Sequence, residues 1–399
     1  MSHKLYHQVR QLLAESIEPR IKASSLDRLT LLVIGIIKAE HASPARVAKA
    51  LDQLGLSQAT AESIERRIRR IENDPSLQAS QCVHPFARAR LMCGKPERLV
   101  LIIDPTTQDE RVVMLTVSVW YRGRALPLAW TVWPGQQPLS EAGFWDRVAA
   151  LLTVVANLLP VGVPVVWLAD RAFGSPAFTD LLAPYGWDYV VRVQDKTRFR
   201  DQLGNEVPLI SLVSQPHRRT KRQGQVFKKR GWRWASVVAF WGPRHRSPLC
   251  LVTSLPPRWE VIALYRRRYP IEAMFRHYKS AGWQWELGQV TDLAHLERLL
   301  VGMALATWLA LLVGTPVAAD LLAEPASGQR RTRPWVAKQS LFTLGLHCLG
   351  RWLQLGPVQP LPSTLTDWEA PNWSAQITAH HARAFVFALI PPSSLPVRP

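Results

Sequence analysis

The chain is short of acid and of cysteine, and both shortages narrow what it can be. Thirty Asp and Glu stand against 49 Lys and Arg in 399 residues, a formal charge of +19 and a pI near 10.4. With 47% hydrophobic residues the chain can still fold, so the surplus points to a polyanionic partner. Nucleic acid is the first candidate and an anionic membrane surface the second. The four cysteines, Cys82, Cys93, Cys250 and Cys348, form no CxxC and no Cys/His cluster. That argues against a zinc ribbon and a disulfide framework, and it fits a reducing cytoplasm. The opening stretch, MSHKLYHQVRQLL, is polar and amphipathic rather than a signal peptide. Long apolar runs are also scarce. Residues 299–313 are the one membrane candidate, yet they are shorter than a usual span and follow the charged segment 292–298. They read as a buried core helix.

A chain of this length can bury more than one core, and two to four modules are expected. Residues 1–90 have helical periodicity. Within them Ser43 can cap a helix beginning at Pro44, Gly55 can end it, and a second helix runs to about Asn73. That second helix exposes Arg66, Arg67, Arg69 and Arg70. The pair resembles a helix-turn-helix as much as a plain helical hairpin.

From Arg98 the period changes. Residues 98–104 (RLVLIID) form a buried-strand run ending at Asp104, and residues 111–123 and 125–133 make two more strands around a tight turn at Arg122–Gly123–Arg124. A helix opens at Ser140, residues 163–169 form another buried strand before Asp170, and residues 187–193 form a last one. The order β-β-β-α-β-α-β implies a mixed sheet covered by helices. Ligand sites gather beyond the carboxyl ends of such strands, so Asp104 and Asp170 are expected to open onto one crevice. The blander readings are that Asp104 with Pro105 is a turn former and that Asp170 pairs with Arg171.

Residues 195–258 differ again: short apolar or alternating segments between Gly and Pro predict an inserted β module. Its basic side chains, Lys228, Lys229 and Arg230 among them, interleave with Trp232, Trp234 and Trp241. That mixture suits a phosphate-tracking groove with a stacking platform, although any single Trp can equally be core. Next comes YRRRYPIEAMFRHYK, residues 265–279. On a continuous helix Tyr265, Arg268, Glu272 and Lys279 fall within an arc of roughly 60°. An acid flanked by cations, Arg276 among them, suits a metal-binding carboxylate acting on a phosphodiester. Pro270 either kinks this helix or starts a new one.

With these residues in place, the chain resembles the DDE transposases of bacterial insertion sequences. It is most similar to the group with a Tyr-x2-Arg-x3-Glu-x6-Lys signature and a β insertion in the catalytic core. Tyr265, Arg268, Glu272 and Lys279 match that spacing, and Asp104 (LIIDPTT) and Asp170 (WLADRAFGSPAF) match the two aspartates. Tyr269 stands where Trp is frequent, and Pro270 is not typical of every member. The resemblance spans about residues 95–310.

It implies an α/β ribonuclease-H-like fold: a mixed sheet with helices on both faces, interrupted by a β-rich insertion and preceded by an all-α domain. The expected domains are 1–90 (helical, DNA-binding), 91–194 and 259–324 (the two parts of the catalytic core), 195–258 (insertion) and 325–399 (a C-terminal region, partly Pro-rich). It further implies that Asp104, Asp170 and Glu272 bind two Mg²⁺ ions, which Mn²⁺ can replace. Tyr265, Arg268, Lys279 and Arg276 would hold DNA phosphates, aided by Lys228, Lys229, Arg230 and one of Trp232, Trp234 or Trp241. The expected activity is cut-and-paste transposition: cleavage at terminal inverted repeats and strand transfer into target duplex, by a homodimer in the bacterial cytoplasm, at the nucleoid and not a membrane. The alternatives are a nuclease of the same fold that cuts without joining and a non-catalytic DNA-binding regulator.

Overall fold

A computed structural model describes residues 2–17, 20–56, 59–243, 246–288, 290, 292–323, 339–368 and 370. Expectations for residues 325–338 and for the Pro-rich tail beyond 370 lie outside the described residues. The chain divides into two compact units. One comprises residues 1–96, 121–127 and 274–399, and the other residues 97–120 and 128–273.

The first unit begins with five helices: α1 (Ser2–Ile17), α2 (Ala23–Ala39), α3 (Pro44–Gln53), α4 (Ala61–Glu72) and α5 (Val83–Gly94). Helix α4 shows why this sequence folds so. The Thr60 side chain accepts from the Ser63 amide at its start, Ile64, Ile68 and Ile71 are buried at helical spacing, and Arg66, Arg67, Arg69 and Arg70 face solvent. The glycine turn before it is real, with Gly55 at φ +60°. Ser43 does sit at the start of α3, but its side chain makes no capping bond. Instead its amide donates 2.9 Å to His41 Nδ1.

The second unit is built on a sheet. Its elements are β1 (Leu99–Gln108), β2 (Val112–Tyr121), β3 (Arg124–Pro134), α6 (Glu141–Ala156), β4 (Val165–Ala169), α7 (Pro176–Leu182) and β5 (Asp188–Arg192). Strands β2 and β3 meet in a turn with Arg122 at φ +46° and Gly123 at φ +86°, as a two-residue hairpin demands. Strand β1 pairs antiparallel with β2 and parallel with β4, and β4 pairs parallel with β5. The order 3-2-1-4-5 is that of a ribonuclease-H-like α/β core. Leu99 to Ile103 are all buried, which is why the run reads as continuously apolar.

Five more strands follow: β6 (Arg198–Arg200), β7 (Glu206–Pro208), β8 (Arg219–Val226), β9 (Arg233–Phe240) and β10 (Leu249–Thr253). They were expected as a separate module, but they continue the core sheet. β10 lies antiparallel against β5 from Leu251↔Arg192 to Thr253↔Val190, giving one ten-stranded sheet in the order β3-β2-β1-β4-β5-β10-β9-β8-β6-β7. The reason is the edge of β5. Val190 and Val191 are buried and their backbone needs a partner, which buried Thr253 and Val252 supply. Two short helices follow, α8 (Glu260–Arg266) and α9 (Pro270–Arg276), and the second unit ends within α9 at Ala273.

The first unit resumes with α10 (Leu293–Ala323) and α11 (Leu341–Leu355). α10 is long and apolar enough to cross a membrane, but its apolar window is 94% buried inside the protein. It is a core helix, as expected. Trp308 Nε1 donates 2.9 Å to the Pro127 carbonyl. α10 and α11 approach so closely that a Cβ on Gly345 would collide with the Ala310 carbonyl, and one on Gly314 with that of Leu341. Gly345→Ala and Gly314→Ala should each cost about 1–3 kcal/mol in urea unfolding. Gly350→Ala on the same α11, where a Cβ meets nothing within 4 Å, should be neutral or stabilising by up to about 1 kcal/mol.

Candidate active site

Strand register brings the two aspartates together. The parallel β1–β4 pairing runs to Ile103↔Ala169, so Asp104 and Asp170 occupy the next step of adjacent strands, on the same face. Asp104 is not the end of its strand, as the sequence suggested. β1 continues to Gln108 against β2, with Asp104↔Thr116 and Pro105↔Leu115. Pro105 is therefore a ladder residue rather than a turn former. The missing N–H is tolerable because β4 has already ended and that edge of β1 has no neighbouring strand to serve. Asp170 caps a short 3-10 turn (Arg171–Phe173), accepting 2.8 Å from the Ala172 amide. Gly174 ends this turn where a Cβ would strike the Arg192 carbonyl 2.6 Å away, so the turn can lie flat against β5 only with glycine there.

The same register identifies a residue that the sequence reading missed. β4 and β5 pair through Ala169↔Val191, so Arg192 stands one step on, beside Asp170. The signal was available: Arg192 ends its strand as the two aspartates' apolar runs end theirs. Its charge reaches the Tyr265 hydroxyl, as do those of Arg268 and Asp170.

The third acid arrives from the helical side. Between α8 and α9 the chain makes a tight turn, with the Arg268 amide bonded to the Tyr265 carbonyl at 2.9 Å and the Glu272 amide to that of Tyr269 at 3.0 Å. Pro270 starts α9 rather than kinking one long helix. Residues 277–281 then form a π-turn. The uniform arc expected for Tyr265, Arg268, Glu272 and Lys279 is therefore broken twice. What survives is local: Arg268 donates 2.6 Å to Glu272 Oε1, four residues on. Its other terminal nitrogen donates 2.9 Å to Asp104 Oδ2.

Arg268 thus ties the acid of β1 to the acid of α9 instead of facing solvent. Its side chain is 9% exposed, against 12% for Asp104 and 56% for Glu272. Burial pushes the Asp104 carboxyl up to about 7. Arg268 opposes that rise, and the negative charges of Asp170 and Glu272 add to it. Tyr265 is buried beneath, its hydroxyl pushed up to about 12 by burial. Three carboxylates and one guanidinium leave a surplus of negative charge on hard oxygen donors, which suits Mg²⁺ rather than a soft metal. Among the described residues no three His, Cys, Asp or Glu are grouped so that they could hold an ion as they stand.

The remaining basic positions are scattered. Arg276 and Lys279 fall in the first unit, with Lys279 Nζ 3.8 Å from Glu286. Lys228, Lys229 and Arg230 form an exposed turn between β8 and β9. Lys228 pairs with Glu206 at 2.6 Å and Arg230 with Glu141 at 2.5 Å. The tryptophans are not the core of this region, which is built from Phe199, Val226, Ala235, Val237 and Val238. Trp234 is 58% exposed, Trp232 lies under the Arg200 guanidinium at 4.3 Å and Trp241 is half-buried. Trp259, which the sequence reading passed over, takes Arg219 at 4.7 Å and Lys221 at 5.5 Å.

The transposase DDE domain family model matches residues 146–309, a span that holds Asp170 and Glu272. This segment is similar to the transposase DDE domain. Asp104 lies ahead of the matched span and joins its two acids through strand register and through Arg268. No curated protein matches the chain. Among solved structures, the cryo-EM piggyBac transposase synaptic complex with hairpin DNA is similar over 77% of each chain, at 12% identity and a TM-score of 0.39. That likeness is too slight to argue from.

A carboxyl with a raised pKa holds its proton in the folded chain after the unfolded chain has lost it, so stability falls as pH rises from the ordinary carboxyl range to about 7. In EDTA, wild type should melt lower at pH 8 than at pH 6. Asp104→Asn should flatten that slope and melt higher than wild type at pH 8, as thermal unfolding across this range would show.

Proposed function

We propose that the chain is a cut-and-paste DNA transposase whose Asp104, Asp170 and Glu272 hold two Mg²⁺ ions, replaceable by Mn²⁺, at a phosphodiester. The observation carrying this reading is the side-by-side placement of Asp104 and Asp170 at a strand end, with Glu272 drawn to the same place by a shared arginine. When bound, such ions activate an attacking oxygen and stabilise the leaving one in an in-line displacement.

The chain's own residues supply position and charge. β1 and β4 are locked in register by their buried neighbours, so the two aspartates present oxygens from a rigid floor. Glu272 enters from α9 and is the most exposed of the three, so it has the most room to adjust. Arg192, Arg268, Arg276 and Lys279 supply phosphate-binding cations, with Tyr265 as a buried support below. The exposed turn Lys228–Arg230 and strand β8 offer a second cationic surface, with Trp234 as the stacking face and Trp232 and Trp241 more covered. The helical domain, with its exposed arginines on α4, is assigned to recognition of the terminal inverted repeats, within a homodimer at the bacterial nucleoid.

With Mg²⁺ and a labelled duplex bearing the element's end, wild type should nick and join. Asp104→Asn, Asp170→Asn and Glu272→Gln should bind the duplex but lose roughly a thousandfold or more in rate, the scale of several kcal/mol of charge stabilisation. Cleavage that survives all three changes would refute the assignment, and cleavage without joining would make the protein a nuclease. Removing the exposed charges of Arg222 and Lys229 should leave chemistry intact in the bound complex. Each removal should lower the slope of log affinity against log salt by roughly 0.9.

A further inference from the structure

Arg268 is oddly placed for a residue whose task is to grip DNA. One terminal nitrogen donates 2.9 Å to Asp104 and the other 2.6 Å to Glu272, so the fork is spent on the acids themselves. The side chain is 9% exposed, and its Nε–H is buried with no acceptor. A guanidinium in its final working position would be expected to use that third donor. The backbone beneath it is also no rigid helix. Residues 267–269 are a turn held by i→i+3 bonds, from Leu264, Tyr265 and Arg266 carbonyls to Arg267, Arg268 and Tyr269 amides at 3.0, 2.9 and 3.3 Å. Such bonds are weaker than those of an α-helix. Beside the acids Arg268 occupies the place of a cation, with only one unit of charge to offset three carboxylates.

We propose that Arg268 is a resident counter-ion of the carboxylate cluster, that a divalent cation must displace it, and that a DNA phosphate accepts the released guanidinium. The inference rests on the metal-site reading above. Its consequence is reciprocal coupling: a phosphate that draws Arg268 away favours the metal, and the metal favours the phosphate to the same degree. Chemistry is thereby held back until DNA is in place, with no separate inhibitory segment.

The test is calorimetric titration of Mn²⁺ into the full chain at pH 8, for wild type, Arg268→Gln, Arg268→Lys and Asp104→Asn. Each is measured alone and with a short duplex that lacks the element's ends. Arg268→Gln should bind Mn²⁺ roughly tenfold or more tighter than wild type without DNA, because two charge-assisted hydrogen bonds no longer have to be broken. The duplex should tighten Mn²⁺ binding by wild type by a similar factor and change Arg268→Gln little. Should Arg268→Gln fail to fold by circular dichroism, Arg268→Lys carries the test: a shorter side chain with one nitrogen in place of the fork's two holds the pair of acids less well, so it too should bind Mn²⁺ tighter than wild type. Equal or weaker Mn²⁺ binding by the folded variant, with binding lost in Asp104→Asn, overturns the counter-ion role and leaves the metal site standing. Absence of Mn²⁺ binding in every protein, with and without duplex, overturns the site and the counter-ion together.

Discussion

Three carboxylates drawn into one partly buried place repel one another, and the second unit is organised around tolerating that repulsion. Asp104 is the most deeply placed, and burial above all, with the charges of Asp170 and Glu272 adding to it, holds its proton so far above the ordinary range. Arg268 offsets part of the charge by bonding two of the acids at once. The buried half of this arrangement, Arg268 with Asp104, is a poor stabiliser, since both partners have lost their water. It specifies geometry instead. The register of β1 against β4 sets where the aspartates are, and the α8–α9 turn sets how near Glu272 comes.

Much of this was legible in the chain because buried parallel strands announce themselves as unbroken apolar runs. VLII before Asp104 and VVWLA before Asp170 placed both acids at neighbouring strand positions. The strand's true length was not legible. β1 runs four residues past Asp104 because β2 continues to pair with it after β4 has stopped, a fact about a neighbour and not about the residues themselves. Pro105 reads as a breaker for the same reason: nothing in the sequence tells which edge of a strand will be left vacant. Arg192 followed the same strand-end logic as the aspartates and was overlooked because it is not an acid.

Helical counting failed more instructively between residues 265 and 279. The one pair it got right, Arg268 and Glu272, is separated by a single turn, and over that distance a tight turn and a helix place side chains alike. Over fourteen residues the restart at Pro270 and the π-turn at residues 277–281 change the phase, so the relation of Lys279 to the others cannot be counted off a wheel. The tryptophans of the insertion posed the opposite difficulty. Composition showed that they were available for stacking or for packing, and burial, which is long-range, decided that none of Trp232, Trp234 and Trp241 is core.

The continuity of the sheet has a mechanical meaning. Because β10 is hydrogen-bonded to β5 and β9 to β10, the basic hairpin of β8 and β9 has no hinge through which to swing apart from the acids. It can shift only by twisting the sheet that also carries Asp170. From β4 to β8 the order is β4-β5-β10-β9-β8, four strand spacings of about 4.8 Å each, or roughly 19 Å. The sheet is therefore a ruler across its strands: it fixes how far β8 lies from β4, and the register leaves Arg219 at the end that carries Arg192 and the Lys228–Arg230 turn at the other.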